Sequence, residues 1–271
     1  LALSDGNSIN GSVTHIPLEG QAEFKVPDTP GSTCFFMSQS HILYESGHMI
    51  SDNQTIQLYQ QPIGNGKIEW GLGEEDDATG NLLSAIGWGY DIIGLYTFVL
   101  KNGIYTHKVY QSDFNIDKLN GTEPSNFSVD GVPIPINVFN NNVYQSYFQW
   151  YGASSPKFLV NNPSGIPIEV NIIELTGTQT GSSIPEPQLR AFIRLQNDSI
   201  TGQELVLRSG CWKGGLFTSR ISQSVISQIN SSNIPLGANQ TFTGAFENTI
   251  TYSQIDAIVF ADTGGEKPET Y

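Results

Sequence analysis

The feature that most constrains this chain is a two-residue alternation of side-chain character within short apolar runs. In the segment LRAFIRL, four apolar residues alternate with three others, of which two are arginines. The apolar residues are Leu189, Ala191, Ile193 and Leu195, and the others are Arg190, Phe192 and Arg194. A period of two places the two sets on opposite faces of a β-strand. The segment is therefore predicted to be a strand that is buried on one face.

Similar runs recur along the chain, rich in Val, Ile, Phe and Tyr and bounded by Gly, Pro, Asn and Asp. The predicted strands are Thr33–Met37, Thr55–Tyr59, Ile92–Leu100, Asn142–Tyr151, Ile168–Leu175, Leu189–Gln196, Glu204–Arg208 and Ala257–Ala261. Helix is scarce; Ser219–Ile229 fits either a short amphipathic helix or a strand followed by a turn. The pattern predicts a mainly β, antiparallel barrel or sandwich with long surface loops and little helix.

Turn residues separate the runs. Asn102-Gly103 lies between Ile92–Leu100 and Ile104–Tyr110, and it predicts a β-hairpin because both central residues of the tight turn need a positive φ. Asp130-Gly131, which is followed by two prolines, predicts a break in regular structure. The long segment Asp113–Asn137 is predicted to be a surface excursion, and the part up to Asp130 is a candidate binding loop.

Length and charge limit the class of protein. At 271 residues, positions 1–271 are predicted to form one domain, and the start LALSDGNS suggests a domain cut from a longer polypeptide. The net charge is −14, and the 12 basic residues are scattered. Nucleic-acid binding needs a cationic face, so nucleic acid is excluded as a partner. No apolar run approaches the length of a membrane span, so membrane insertion is not expected.

The sequence offers little for catalysis. The histidines His15, His41, His48 and His107 form no HExxH pattern and no i, i+4 metal pair, and neither a GxSxG elbow nor a phosphate loop occurs. Two free, buried thiols are expected at Cys34 and Cys211, with a single disulfide as the alternative. We therefore expect a protein that is not an enzyme, with no cofactor and no metal.

The strongest candidate for chemistry is the acidic run Glu74-Glu75-Asp76-Asp77. Paired carboxylates perform glycoside hydrolysis, and jelly-roll glucanases carry E-x-D-x-x-E on one strand. Here Thr79 occupies the place of the last glutamate, and Asp77-Ala78-Thr79-Gly80 is typical of a turn. A solvated acidic loop is expected; a calcium site or a catalytic pair are the alternatives.

The stretch LVLRSGCWKGGLFTS, Leu205–Ser219, places a cysteine beside Lys213. A reactive thiolate needs a helix N-terminus or a nearby cation or base, and no histidine lies within a hundred residues of Cys211. The flanking runs are strand-like. Gly210–Gly215 is therefore predicted to connect two strands, with Cys211 or Trp212 packed against the sheet and Lys213 in solvent.

Recognition is the better-supported class of function, because acid–base machinery is missing and the loops are long relative to the strands. Several aromatic residues lie beside glycines, and such stiff, amphipathic rings suit protein and sugar contacts, although each ring alone is more typical of a core. The candidate receptor-binding residues are Trp70, Glu74, Glu75, Asp76, Asp77, Trp88 and Tyr90. N-x-[ST] sequons occur at Asn10, Asn53, Asn120, Asn126, Asn197, Asn230 and Asn239. Asn197 ends a predicted strand beside a turn, so it is expected to be exposed.

The C-terminal third resembles the spike domain of astrovirus capsid proteins. The segments that carry the resemblance are Leu189–Leu195, Glu204–Ser209, Cys211–Thr218 and Ala257–Thr263. It implies a β-barrel core, a homodimer, a place on the virion surface, and attachment to a host-cell receptor, either glycan or protein. Neutralising antibodies would be further partners. The alternatives are a secreted carbohydrate-active jelly-roll protein (binding module, glycosidase or lyase) and a phage or bacterial adhesin domain.

Overall fold

A computed structural model describes residues 3–5, 8–44, 48–76, 79–149, 155–177, 181–198 and 203–217. All the described ranges lie in one compact unit, Leu1–Phe217. The predicted elements at Ser219–Ile229 and Ala257–Ala261 lie outside the described residues. The prediction of a single domain over residues 1–271 therefore stays a prediction.

The described part consists almost entirely of β-strands. In chain order they are β1 Leu3–Asp5, β2 Ser12–Ile16, β3 Gln21–Val26, β4 Ser32–Ser38, β5 Met49–Leu58, β6 Lys67–Glu75, β7 Leu82–Asp91, β8 Leu95–Lys101, β9 Ile104–Tyr110, β10 Ser128–Val129, β11 Val132–Pro133, β12 Asn142–Phe148, β13 Lys157–Asn161, β14 Pro167–Ile172, β15 Arg190–Asn197 and β16 Leu205–Phe217. One 3₁₀ turn, Gln111–Asp113, follows β9.

Two seven-stranded sheets pack face to face. The front sheet has the order β1-β4-β15-β6-β7-β8-β9, and the back sheet has the order β14-β13-β12-β5-β16-β3-β2. Every pairing between these strands is antiparallel. The predicted mainly antiparallel β fold is confirmed, and of the two predicted architectures the described strands form the sandwich rather than a closed barrel.

Large aromatic rings from both sheets meet in the core. Trp70 and Trp88 of the front sheet are fully buried, and each packs against Tyr144 of the back sheet with ring centroids 5.0 and 5.1 Å apart. Phe158 of the back sheet meets Trp88 edge-on at 5.5 Å. Edge-to-face pairs of this kind add stability beyond the burial of their area. They hold the two sheets in a fixed relation.

The predicted hairpin at Asn102-Gly103 is confirmed. The two residues have φ values of 52° and 74° and connect β8 to β9, with Lys101 opposite Ile104. The strand predicted at Ile92–Leu100 begins only at Leu95. The Asp91 carboxylate accepts hydrogen bonds from the N–H groups of Ile93 and Gly94, which forms a turn before the strand.

The prediction that Gly210–Gly215 connects two strands is wrong. Residues 205–217 form the single strand β16, which pairs along most of its length with β5 and changes register between Ser209 and Trp212. The small residues at 210 and 211 are accommodated as a bulge. As expected, Trp212 packs against the core, where it stacks on Phe24 at 6.3 Å, and Lys213 is exposed.

Cys34 and Cys211 are not joined in a disulfide, as predicted, but only Cys34 is buried; Cys211 is exposed. The bulge explains the difference, because it removes Cys211 from the regular pairing with β5. For Asn197 the prediction of exposure is wrong. It was expected at the surface but is fully buried, and its side-chain amide donates to the backbone oxygens of Pro27 and Gln203.

The excursion at 113–137 is only partly a surface loop. Phe114, Leu119 and Phe127 are buried in the core of the sandwich. Asp130-Gly131 does not simply interrupt regular structure, because its φ values of 50° and 79° build a small hairpin between β10 and β11. Most of the apolar side chains of this segment therefore contribute to stability.

Candidate functional site

The outer face of the front sheet carries charged side chains at its centre. On β6 the residues Ile68 and Trp70 point into the core, so Lys67 and Glu69 lie on the opposite face. On β15 the same alternation places Arg194 and Gln196 outward. The register sets Arg194 opposite Glu69 and Gln196 opposite Lys67. Sheet pairing thus assembles the four polar side chains into one patch.

Glu69 is the centre of this patch and is fully buried. Its Oε2 accepts hydrogen bonds from Arg194 Nε at 3.0 Å and from Arg194 Nη2. Its Oε1 accepts from the Tyr96 hydroxyl at 2.9 Å and from the Tyr105 hydroxyl. A buried carboxylate is tolerated only when it is paired and hydrogen-bonded. Glu69 meets that requirement with one cation and two phenols.

The ionisation of the patch follows from these contacts. Burial alone would raise the pKa of Glu69, but the charges of Arg194 and Lys67 outweigh it, and the pKa falls to about 2. Burial and the neighbouring Glu69 charge raise the pKa of Tyr105 and of Tyr96, so both phenols stay protonated. Glu69 is therefore a permanent anion at neutral pH, and the two tyrosines are hydrogen-bond donors to it.

A glycine makes room for one of these rings. A Cβ placed on Gly89 would lie 2.3–2.5 Å from the ring and hydroxyl atoms of Tyr96. Gly89 stands opposite Tyr96 on the neighbouring strand and next to Glu69 on the other side. The missing side chain lets the Tyr96 ring lie over β7 and reach the carboxylate.

A cleft with a cavity volume of about 380 Å³ opens on this face. Its lining residues are Thr33, Phe35, Lys67, Asn81, Leu82, Leu100, Gly103, Tyr105, Arg194 and Gln196. Phe35, Leu82 and Leu100 are buried and belong to a second apolar cluster on this side of the sheet. The cleft combines this apolar part with amide, hydroxyl and cationic groups, as small-molecule sites commonly do.

A second polar group lies on the same face, around Lys108. Its Nζ contacts Asp91 Oδ2 at 2.7 Å and lies 3.9 Å from the centre of the Tyr96 ring. Tyr110 donates to the same Asp91 oxygen at 2.9 Å. Burial acts to lower the pKa of Lys108, but the hydrogen bonds with Asp91 and Tyr110 outweigh it and raise the pKa. Lys108 thus stays protonated, its charge is balanced by Asp91, and it packs over the Tyr96 ring.

The aromatic residues predicted to bind a receptor lie in the interior. Trp70 and Trp88 have no exposed surface, and Tyr90 retains only 8% of its own. The indole N–H of Trp88 donates to the backbone oxygen of Gln145 at 3.2 Å, and Tyr90 packs edge-on against Phe139. Trp70 and Trp88 therefore offer no surface to a receptor and Tyr90 offers little, because the strand alternation directs the three rings between the sheets.

The predicted acidic residues lie at one end of the front sheet. Glu74 and Glu75 are the last residues of β6, and Glu75 forms an ion pair with Arg190 at 2.5 Å. Asp76 begins a turn in which its Oδ1 accepts from the N–H of Thr79. Asp77 lies outside the described residues. In the described part of the chain no group of three or more His, Cys, Asp or Glu side chains is placed to hold a metal ion.

Sequence reasoning missed the residues of the cleft. A signal was present, because Lys67 and Glu69, like Arg190 and Arg194, alternate with apolar residues and so share the outer face of their strands. The pairing of Glu69 with Arg194 could not be predicted from the sequence, because the two residues are 125 positions apart in the chain. Only the strand order brings the two charges together.

No helix in the described ranges is long and apolar enough to cross a membrane. No protein-family model matches the chain, and no curated protein matches it.

Solved structures with a similar arrangement include three of different kinds. The carbohydrate-binding module CBM66 from Bacillus subtilis is 11% identical, covers 80% of this chain and 95% of its own, and has a TM-score of 0.42. The potassium-bound carbohydrate recognition domain of Emp46p is 12% identical, with coverage of 81% and 89% and a TM-score of 0.43. The family 7 alginate lyase A1-II′ with bound substrate is 8% identical, with coverage of 77% and 83% and a TM-score of 0.45. At these values the likenesses assign neither a ligand nor a reaction to this chain.

Proposed function

We propose that the domain is a non-enzymatic recognition module that binds a glycan in the cleft on the outer face of its front sheet. The observation that carries this proposal is the composition of the lining: Thr33, Asn81 and Gln196 each carry a group that can donate and accept hydrogen bonds. Sugar hydroxyls also donate and accept, so they are matched by such groups better than an apolar ligand is.

The rigidity of the site supports the same conclusion. Lys67, Arg194 and Gln196 lie on paired strands in the middle of a seven-stranded sheet rather than on loops. Glu69 fixes Arg194 and Tyr105 through hydrogen bonds. Side chains that are held before the ligand arrives lose little entropy on binding.

The absence of a catalytic role is part of the proposal. Glu69 is engaged by Arg194, Tyr96 and Tyr105, and its low pKa makes it a poor proton donor at neutral pH. A general acid or base needs a pKa near the working pH. Glu69 therefore serves to position neighbouring side chains.

The sequence resemblance to astrovirus spike domains suggests that this glycan binding attaches a virion to a receptor on the host cell. The homodimer, the virion surface, the host receptor and the antibodies stay predictions with it. Glycan binding is also the step shared with the alternative of a secreted carbohydrate-binding module.

A binding and turnover experiment on the 271-residue chain tests the proposal. The protein is applied to a broad panel of immobilised glycans, and the best ligands are then incubated with it and analysed for new reducing or unsaturated ends. We expect saturable binding to at least one glycan class and no new ends. Failure to bind any glycan would overturn the proposal, and turnover of a bound glycan would overturn its non-enzymatic part.

A further inference from the structure

The charge of the cleft indicates what kind of glycan it selects. Among the residues that the structure describes, the lining side chains include the two cations Lys67 and Arg194 and no carboxylate. The whole chain has 26 acidic and 12 basic residues. The lining of the cleft is therefore positively charged, whereas the chain as a whole is negatively charged.

Glu69 engages only some of the hydrogen-bond donors of the Arg194 guanidinium. The hydrogen bonds to the carboxylate use Nε and Nη2. No hydrogen bond among the described residues uses Nη1. The guanidinium presents its donors in a planar fork, so one arm can be held by Glu69 while another faces a ligand.

Among the described residues, Lys67 is the cation of the lining that forms no ion pair within contact distance, although the charges of Glu69 and Asp198 attract it. Its Nζ contacts the Tyr105 hydroxyl at 3.3 Å and lies 5.4 Å from the centre of that ring. None of the ion pairs formed among the described residues includes Lys67. Glu69 is directed to Arg194, and Asp198 accepts a hydrogen bond from Gln196 at 2.6 Å.

The balance of forces on Lys67 is unfavourable for its charge. Burial lowers the pKa of Lys67, and the attraction of Glu69 and Asp198 does not restore it, while the positive charges of Arg194 and Lys108 also act against it. A further anion within contact distance would offset that burial, because an opposite charge favours the ionised form.

We propose that the cleft recognises an anionic group on its glycan, a carboxylate or a sulfate, held between Lys67 Nζ and the free arm of Arg194. This inference rests on the proposed function and narrows it to acidic sugars. Tyr105, whose hydroxyl bonds both Glu69 and Lys67, positions the ammonium for that contact.

Titration calorimetry with three probes tests the inference. The probes are a trisaccharide of uronic acid units, the same trisaccharide with its carboxyl groups reduced to alcohols, and a sulfated neutral trisaccharide. We expect the neutral probe to bind at least about tenfold more weakly than one of the acidic probes, and we expect added salt to weaken only the binding of that acidic probe. The two acidic arms distinguish carboxylate from sulfate.

Variants of Lys67 make the test specific. Lys67→Met should lose about tenfold or more in affinity for the preferred acidic probe, whereas Lys67→Arg should retain most of it and Lys157→Met, on the back sheet, should retain all of it. If Lys67→Met does not fold, the ε-group of Lys67 in the natural protein is titrated by NMR, and its pKa should rise when the acidic probe is bound.

Equal binding of the acidic and neutral probes, or full retention of acidic binding by a folded Lys67→Met, would overturn this inference and leave glycan binding intact. An unchanged Lys67 pKa in the presence of bound acidic probe would do the same. Binding of none of the three probes would overturn it, and if the broad panel also gives no ligand, the proposed function fails with it.

Discussion

Arg194 and Glu69 stand directly opposite each other on β15 and β6, and Arg194 Nε donates to Glu69 Oε2 over 3.0 Å. The Glu69 side chain is fully buried and that of Arg194 is 12% exposed. Such a pair contributes little when complete, but the loss of one partner leaves a buried charge without compensation. It therefore ties the integrity of the cleft to the stability of the front sheet.

We expect Glu69→Gln to destabilise the protein by about 3–5 kcal/mol, because Arg194 would remain buried without its counter-charge. The free energy of unfolding from urea titration measures this. The matched control is Glu169→Gln, which breaks the partly exposed ion pair with Lys157 and should cost less than about 1 kcal/mol. Equal losses in the two variants would contradict the role given to Glu69.

The buried carboxyl group of Asp52 should make the free energy of unfolding depend on pH. It faces the interior from β5, and burial raises its pKa to about 7 although the Gln54 amide donates to it. In the unfolded chain its pKa is about 3.9. Between these values the folded protein retains a proton that the unfolded chain has released. The free energy of unfolding must therefore fall as pH rises from about 4 to about 7, and this contribution is constant above the folded pKa.

The variant Asp52→Asn isolates this contribution, since it keeps the size of the side chain and cannot titrate. The difference in free energy of unfolding between the natural protein and the variant should fall with a slope of up to about 1.4 kcal/mol per pH unit between about pH 4.5 and 6.5. A difference that does not change over that interval would show that Asp52 titrates normally.

Gly89 is predicted to tolerate no side chain. In Gly89→Ala the new Cβ would lie 2.3–2.5 Å from atoms of Tyr96, so the ring must move away from Glu69. We expect a loss of about 1–3 kcal/mol in the free energy of unfolding together with weaker binding in the cleft. Gly215→Ala is the control, because nothing lies within 4 Å of the Cβ position at that strand glycine. Similar stability of the two variants would argue against the close packing of Tyr96.

The two cysteines should differ in reactivity, because Cys211 is exposed and Cys34 is buried. With a thiol reagent such as Ellman's, we expect one thiol to react promptly in the folded protein and the second only after denaturant is added. Cys211→Ser should remove the prompt reaction. Prompt reaction of both thiols, or persistence of the prompt phase in Cys211→Ser, would contradict the burial of Cys34.

Much of the fold was predictable because its signals are local. Alternation defined the strand at 189–196 almost to its ends, and Asn102-Gly103 gave the hairpin, since positive φ at both central residues is a property of the turn itself. The same rules failed at Gly210–Gly215, where three glycines suggested a turn. There the long partner β5 continues to pair, and tertiary pairing outweighs the local preference.

The site was less predictable because its residues meet only through strand order. Aromatic residues beside glycines suggested surface recognition at Trp70 and Trp88, yet the glycines allow close approach of the strands and the rings fill the core. Lys67 and Arg194 were visible as charges on strands, but their proximity depends on the pairing of β6 with β15. A single sequence does not encode that pairing in any short motif.

The most direct test of the account is to locate glycan binding by mutation. The best ligand from the glycan panel is titrated into the double variant Asn81→Ala, Gln196→Ala, which alters two polar side chains of the cleft, and into Glu74→Gln, Asp76→Asn, which alters the acidic end of β6. We predict at least about a tenfold loss of affinity in the first and none in the second. Full affinity in the first and loss in the second would contradict the cleft as the binding site.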